Sequence, residues 1–209
     1  MSQPAQHRYA VLVSGRGSNL KAILDAIGDG RISQKPSLVL TDNEDAPALD
    51  YARQAGVETF FIDPKLHKGR KAYGARIIEE LEKRGIDIVC LAGFMRIIHD
   101  DMVKNFRWRM VNIHPSLLPD FPGLEAQRQS LEAGVKESGC TVHFVDEGVD
   151  TGPVIMRAKV GVERGDTVES LSQRILRQEH RIYPIVIQAM LDNRIKVKDG
   201  KVEIEPRQG

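Results

Sequence analysis

Little in this chain of 209 residues points to a partner outside the small-molecule world. There are two cysteines, Cys90 and Cys140, each set among apolar or small residues. That excludes a disulfide framework or a thiolate metal cluster and suggests buried thiols in a reducing compartment. The six histidines are dispersed and form no His-Glu-x-x-His pair, so no metal is expected. Charge of one sign is missing as well: 30 Lys and Arg against 29 Asp and Glu leave a formal net charge of +1. No global field calls for nucleic acid or an anionic membrane, and any anion has to be bound locally. No apolar run approaches the roughly 20 residues of a membrane span, and residues 1–8 are too polar for a secretory leader. Repeats, low-complexity stretches and linkers are absent. These absences predict a soluble, cytoplasmic protein with a single core spanning residues 1–209 and small-molecule partners; oligomeric state is not readable.

What is present is an alternation of short apolar runs and amphipathic stretches. After a polar tail over residues 1–7, residues 9–13 read as a strand ending at Ser14-Gly15, and residues 18–27 as a helix with Leu20, Ile23, Leu24 and Ile27 on one face. Further strands are expected at 37–40, 57–62 and 86–91, with helices near 46–55 and 69–83 between them. This rhythm predicts an α/β fold with a doubly wound, mostly parallel sheet, Rossmann-like over residues 8–106. Residues 92–98 read as a loop with apolar walls, 108–114 as a strand, 119–123 as a turn and 124–133 as a helix. The half from 107 to 209 is expected to be mixed. It has a strand pair at 139–145 and 154–160, and a long helix over 168–192 that is interrupted or kinked near Tyr183-Pro184. A terminal hairpin turns around Asp199-Gly200.

Three stretches can carry chemistry. Ser14-Gly15-Arg16-Gly17-Ser18-Asn19-Leu20 follows a strand and opens a helix, where glycines let backbone amides approach an anion and the helix terminus supplies donors. A dinucleotide fingerprint needs a third glycine where Leu20 stands, so a phosphate ester is preferred to NAD; a capped helix start without ligand is the other reading. In the strand end Val111-Asn112-Ile113-His114-Pro115, the period of two turns Asn112 and His114 to one face, and the proline ends the ladder. His114 has three readings: a core histidine, a metal ligand, or an acid/base group needing a carboxylate to orient it. Asp150, in the loop Asp146-Glu147-Gly148-Val149-Asp150-Thr151-Gly152, is a candidate for that carboxylate, and Asn112 for an oxyanion donor. The loop's two glycines suggest adaptability, and an exposed acidic turn is the alternative. Met95, Arg96, Ile97 and Ile98 suit a pocket for a flat heterocycle or ordinary packing. Arg70 is either a carboxylate ligand or solvated, and Glu179 either accepts from a ligand or forms a surface ion pair.

Taken together the motifs resemble the phosphoribosylglycinamide formyltransferase family, the folate-dependent transformylases of purine synthesis, along nearly the whole chain. The resemblance rests on Ser-Gly-x-Gly-Ser-Asn-Leu at 14–20, Leu-Ala-Gly-Phe-Met-Arg-Ile at 91–97 and Asn-Ile-His-Pro-Ser-Leu-Leu-Pro at 112–119. It continues in Pro-Gly-Leu at 122–124, Asp-Thr-Gly-Pro-Val-Ile at 150–155 and Gln-Glu-His at 178–180. It implies that Gly17, Ser18, Asn19 and Glu179 hold glycinamide ribonucleotide. It implies too that Arg70, Met95, Arg96, Ile97, Ile98, Asn112, Asp146, Glu147, Gly148, Val149 and Asp150 hold 10-formyltetrahydrofolate. Asn112, His114 and Asp150 match the family's catalytic trio, for a formyl transfer to the glycinamide amine through an oxyanion held by Asn112 and His114. Three positions depart from the pattern: Arg16 in the phosphate loop, Glu125 and Gln127 where some relatives carry histidines, and Gly148-Val149 for a commoner Glu-Leu. Methionyl-tRNA formyltransferases and formate-releasing hydrolases share residues 112–119, but their additional domains do not fit into 209 residues.

Overall fold

Strands β1 (Tyr9–Val13), β2 (Leu38–Thr41), β3 (Thr59–Phe61), β4 (Ile88–Leu91) and β5 (Met110–His114) form the parallel part of a seven-stranded sheet. Its strand order is β3-β2-β1-β4-β5-β6-β7, closed by β6 (Glu137–Phe144) and β7 (Val154–Gly161). Both of these pair antiparallel. The architecture is that of a computed structural model, which describes residues 7–207; most of the polar tail expected at 1–7 lies outside them.

The sheet is apolar on both faces because helices cover both. Along β1, Tyr9, Val11 and Val13 enter one core, shared with Leu20, Ile23 and Ala26 of α1 (Ser18–Gly28) and with the long helix α6 (Val168–Leu191). Ala10 and Leu12 point the other way, into a core with Tyr73, Ile77 and Leu81 of α3 (Gly69–Lys83) and Met102 of α4 (Asp100–Asn105). This continuous apolarity is what a doubly covered parallel strand requires. The remaining helices are α2 (Ala48–Gln54) and α5 (Ala126–Glu132), and β8 (Ile195–Lys198) with β9 (Lys201–Ile204) makes the expected terminal hairpin.

Several boundaries differ from expectation. The six-residue α4 was not foreseen, being too short to show a period; His99 caps it, its Nδ1 accepting from the Asp101 amide at 3.2 Å. Trp108 stands outside its strand, left-handed at φ 59°, and β5 begins at Met110. The helix expected over 124–133 starts at Ala126 because Glu125 is left-handed. No interruption occurs at Pro184: α6 runs unbroken from a Thr167–Ser170 capping box to Leu191, with Tyr183 and Pro184 buried inside it. Proline removes one helical hydrogen bond, and here tertiary packing outweighs that loss; the Tyr183 hydroxyl donates to the Leu91 carbonyl at 2.7 Å, pinning the helix under β4.

The strand order turns at β1, which lies between β2 and β4. Parallel strands on either side of such a point send their connections to opposite faces and leave a crevice at their carboxyl ends. The loops after β1 and β4 meet there, the Ser14 amide donating to the Gly93 carbonyl at 3.1 Å.

Candidate active site

Three groups of residues gather at this carboxyl edge. The first is the turn between β1 and α1. Gly17 adopts φ 72°, and a Cβ placed on it would lie 2.5 Å from the Ala48 Cβ, so both the backbone and the contact with α2 demand glycine. The first helical bond runs from the Lys21 amide to the Gly17 carbonyl at 2.8 Å, which leaves the amides of Ser18, Asn19 and Leu20 ahead of the ladder. No side chain caps the helix. Arg16 is exposed.

Asn19 ties the turn to α6. Its Nδ2 donates to Glu179 Oε2 at 2.7 Å, a contact between α1 and α6, and its Oδ1 is buried without a hydrogen-bond partner. Glu179 is 6% exposed and forms no ion pair among the described residues. Burial raises its carboxyl pKa above the ordinary range, and the Asn19 amide only partly offsets this. The amide and carboxyl thus form a buried polar pair behind the turn.

The second group is centred on Asp150. Asn112 and His114 share a face of β5, as their spacing required, and the segment after β6 returns Asp150 to them. His114 Nδ1 lies 3.2 Å from Asp150 Oδ2, which also accepts from the Gly123 amide at 2.8 Å. The other ring nitrogen, Nε2, donates to the Phe121 carbonyl at 2.9 Å. On the second carboxylate oxygen, Asp150 Oδ1, Asn112 Nδ2 approaches to 3.4 Å and His143 Nε2 to 3.4 Å. His143 Nδ1 donates to the Phe144 carbonyl at 2.8 Å, and its Nε2 also lies 3.2 Å from Asn112 Nδ2. Burial alone would raise the Asp150 pKa; the His143 and Gly123 hydrogen bonds and the two imidazoles reverse that and hold it below the usual carboxylate range. Burial pulls His114 below the usual imidazole value, with the Phe121 carbonyl and Asp150 pulling back. A neutral His114 therefore faces two acceptors with one proton. A second proton on the ring would satisfy both, which makes it a poised proton acceptor.

The third group is a cleft of about 380 Å³ lined by Pro64, His67, Gly69, Arg70, Tyr73, Met95, Arg96 and Ile97. Met95 and Ile97 are largely exposed, as pocket walls rather than core. Ile98 packs instead against the second core. Residues 146–149 do not line this cleft.

A chain of this length matches the family model described as formyl transferase over residues 7–187. The chain belongs to the formyl transferase family. Among curated formyl transferase relatives, the phosphoribosylglycinamide formyltransferase of Escherichia coli (strain K12) is 44% identical over 190 residues, 91% of this chain and 90% of that one. The trifunctional purine biosynthetic protein adenosine-3 of Bos taurus is 44% identical over 201 residues, 96% of this chain. This chain spans only 20% of that larger relative's length. Among solved structures, the glycinamide ribonucleotide transformylase 1 of Symbiobacterium toebii superimposes with a TM-score of 0.94 at 50% identity, covering 98% of this chain and 96% of that one.

Within this formyl transferase fold the expected residues fall into place unevenly. Asn112, His114 and Asp150 converge; Gly17, Ser18 and Asn19 share one turn, with Glu179 against Asn19; Arg70, Met95, Arg96 and Ile97 share the cleft. The loop glycines are not a source of adaptability. A Cβ on Gly148 would overlap the Thr151 hydroxyl and one on Gly152 the Phe144 carbonyl, so both permit close packing. Asp146 braces the loop, accepting from the Gly148 amide at 3.1 Å and the Thr151 hydroxyl at 2.7 Å. His143 was not foreseen, since it lies in a buried apolar run; the signal was its register opposite Asn112. Among the described residues, no group of three or more His, Cys, Asp or Glu is arranged to hold a metal, and no helix is long and apolar enough to cross a membrane.

Proposed function

We infer that this chain is a phosphoribosylglycinamide formyltransferase. It transfers a formyl group to the primary amine of glycinamide ribonucleotide, giving formylglycinamide ribonucleotide in de novo purine biosynthesis. The carrying observation is the convergence of His114, Asp150 and Asn112 at the same sheet edge as an open helix N-terminus that suits a phosphate monoester. We propose 10-formyltetrahydrofolate as the donor, no metal, a cytoplasmic setting and small-molecule partners only, within one domain whose first half (8–106) carries the phosphate site and whose second half (107–209) carries the chemistry.

In this reading Gly17, Ser18 and Asn19 bind the ribonucleotide phosphate through backbone amides, with the positive end of α1 behind them. Glu179 completes that subsite, and the buried Asn19 Oδ1 accepts from a ligand donor. Arg70, Met95, Arg96, Ile97 and Ile98 bind the folate, its reacting end reaching Asn112 and residues 146–150.

The amine lone pair attacks the formyl carbon and the carbonyl becomes an oxyanion. Asn112 Nδ2 and the His114 ring are its donors. These donors make long contacts to His143 and Asp150 or a bond to the Phe121 carbonyl, and a charged oxygen competes well for them. The attacking nitrogen then loses a proton and the folate nitrogen gains one as its bond to the formyl carbon breaks. His114 is suited to carry that proton, because Asp150 and the Phe121 carbonyl both stabilise the imidazolium. Losing one oxyanion donor at such a site costs on the order of 10² to 10³ in turnover. The test is direct: purified protein with both substrates should yield formylglycinamide ribonucleotide by mass spectrometry, and absence of that product with folded protein would overturn the reading.

A further inference from the structure

One buried charge has no part in the chemistry so far. Asp42 follows β2, its side chain is 5% exposed, and its Oδ2 accepts from Arg96 Nε at 2.6 Å. Its Oδ1 is buried with no hydrogen-bond partner, so Arg96 is the one side chain that bonds this carboxylate among the described residues. A half-satisfied buried carboxylate is costly, and a fold that only needed to close a turn here would do better with a neutral residue. The cost falls at the cleft: Arg96 is 48% exposed, lines the cleft beside Arg70, and uses Nε alone on Asp42. Its two terminal nitrogens remain for a ligand.

The same segment is held from a second side. The Met95 amide donates to Ser14 Oγ at 2.8 Å, and Asn43, next to Asp42, donates from Nδ2 to the Ser14 carbonyl at 3.3 Å. Loops after β1, β2 and β4 are thus cross-tied, with the Arg96 guanidinium as the member that reaches the cleft.

We propose that Asp42 is a positioning residue for the folate substrate, clamping Arg96 by its Nε so that the guanidinium's free edge is fixed in the cleft wall before the substrate arrives. This rests on the reading of the cleft as the folate site. An arginine held at Nε loses less side-chain freedom on binding a carboxylate, and its planar edge suits bidentate contact with one. None of Asn112, His114 and Asp150 lines the cleft, so the effect belongs to ground-state binding: KM for the folate changes and kcat does not.

The experiment compares the near-isosteric Asp42→Asn, Asp42→Glu, Arg96→Lys, Arg96→Gln and the Asp42→Asn/Arg96→Gln double variant, measuring kcat, both KM values and Tm. Asp42→Asn is expected to raise the KM for 10-formyltetrahydrofolate about five- to tenfold. The KM for glycinamide ribonucleotide and kcat should stay within about twofold, and Asp42→Glu should recover part of the loss. The double variant should be no worse than Arg96→Gln alone, because Asp42 acts only through Arg96. Should Asp42→Asn fail to fold, Arg96→Lys on the exposed partner must still raise the folate KM. An unchanged folate KM, additive effects in the double variant, or an equal rise in both KM values with a lowered Tm would overturn the inference. Wild-type protein without formyl transfer sinks the functional reading and this inference with it; active wild-type protein with an unaffected Asp42→Asn variant sinks the inference alone.

Discussion

His143 Nε2 lies 3.4 Å from Asp150 Oδ1, on the carboxylate oxygen that His114 does not use. Asp150 is therefore steered by two imidazoles and by the Gly123 amide, and its orientation toward His114 depends on more than the trio. His143→Phe removes one of those guides while keeping a ring in the buried site. Loss of roughly 10- to 100-fold in kcat is expected, the scale of a small misplacement of a reacting group. The KM for glycinamide ribonucleotide should be nearly unchanged. Steady-state kinetics on both substrates decide this, and a wild-type kcat would remove His143 from the site.

The pH dependence follows from His114. Its folded pKa lies below the ordinary imidazole value of about 6.5. The ring is then neutral and able to accept a proton at pH 7 and above, and activity should be flat there. It should fall as pH drops through the lowered folded value, below the ordinary imidazole range. Stability follows the same sign: a depressed histidine pKa stabilises the fold above the unfolded value, and that contribution is lost as pH falls through the window down to the folded one. His114→Ala should abolish the acid limb together with all but a residue of turnover, about 10² to 10³ below wild type. A variant that keeps the wild-type profile would mean another group titrates.

Much of this was legible in the residues, and the failures share a cause. The period of two placed Asn112 and His114 together. The parallel sheet followed from the alternation of runs. What the chain could not disclose was pairing across the sheet. His143 becomes part of the site only because β6 turns antiparallel and sets it opposite Asn112, and Asp150 reaches His114 only because the next segment folds back. In the same way, Glu179 carried two readings, a ligand acceptor or a surface ion pair, and its burial against Asn19 shows only once α6 is in place. Gly148 and Gly152 read as flexibility because a glycine that permits flexing and one that permits close contact look alike until the neighbour is known.

Glu179 makes a prediction of opposite sign to His114. A carboxyl whose folded pKa is raised stabilises the protein most below its unfolded pKa, and that contribution disappears as pH rises through the folded value. Glu179→Gln keeps the volume and cannot ionise, so its Tm relative to wild type should improve from acid to neutral pH. Its KM for glycinamide ribonucleotide should rise, since a ligand acceptor has been lost. Parallel Tm curves for the two proteins across that range would show that Glu179 does not change its protonation state there.

The two glycines of the acidic loop predict contrasting damage from that at Gly17. Gly152→Ala must move the Phe144 carbonyl, part of the β6 end that carries His143, so about 1–3 kcal/mol of stability is expected to go with kcat. Gly17→Ala must shift Ala48 and hold alanine at φ 72°, a conformation glycine tolerates and alanine does not. That strain falls on the turn proposed to hold the phosphate, away from His114 and Asp150. Its expected signature is a raised KM for glycinamide ribonucleotide, roughly tenfold, with kcat at saturation largely retained. Thermal melts and saturation kinetics on both variants separate the two effects. A Gly17→Ala enzyme with wild-type KM would show that the turn is not the phosphate site, whatever the rest of the molecule does.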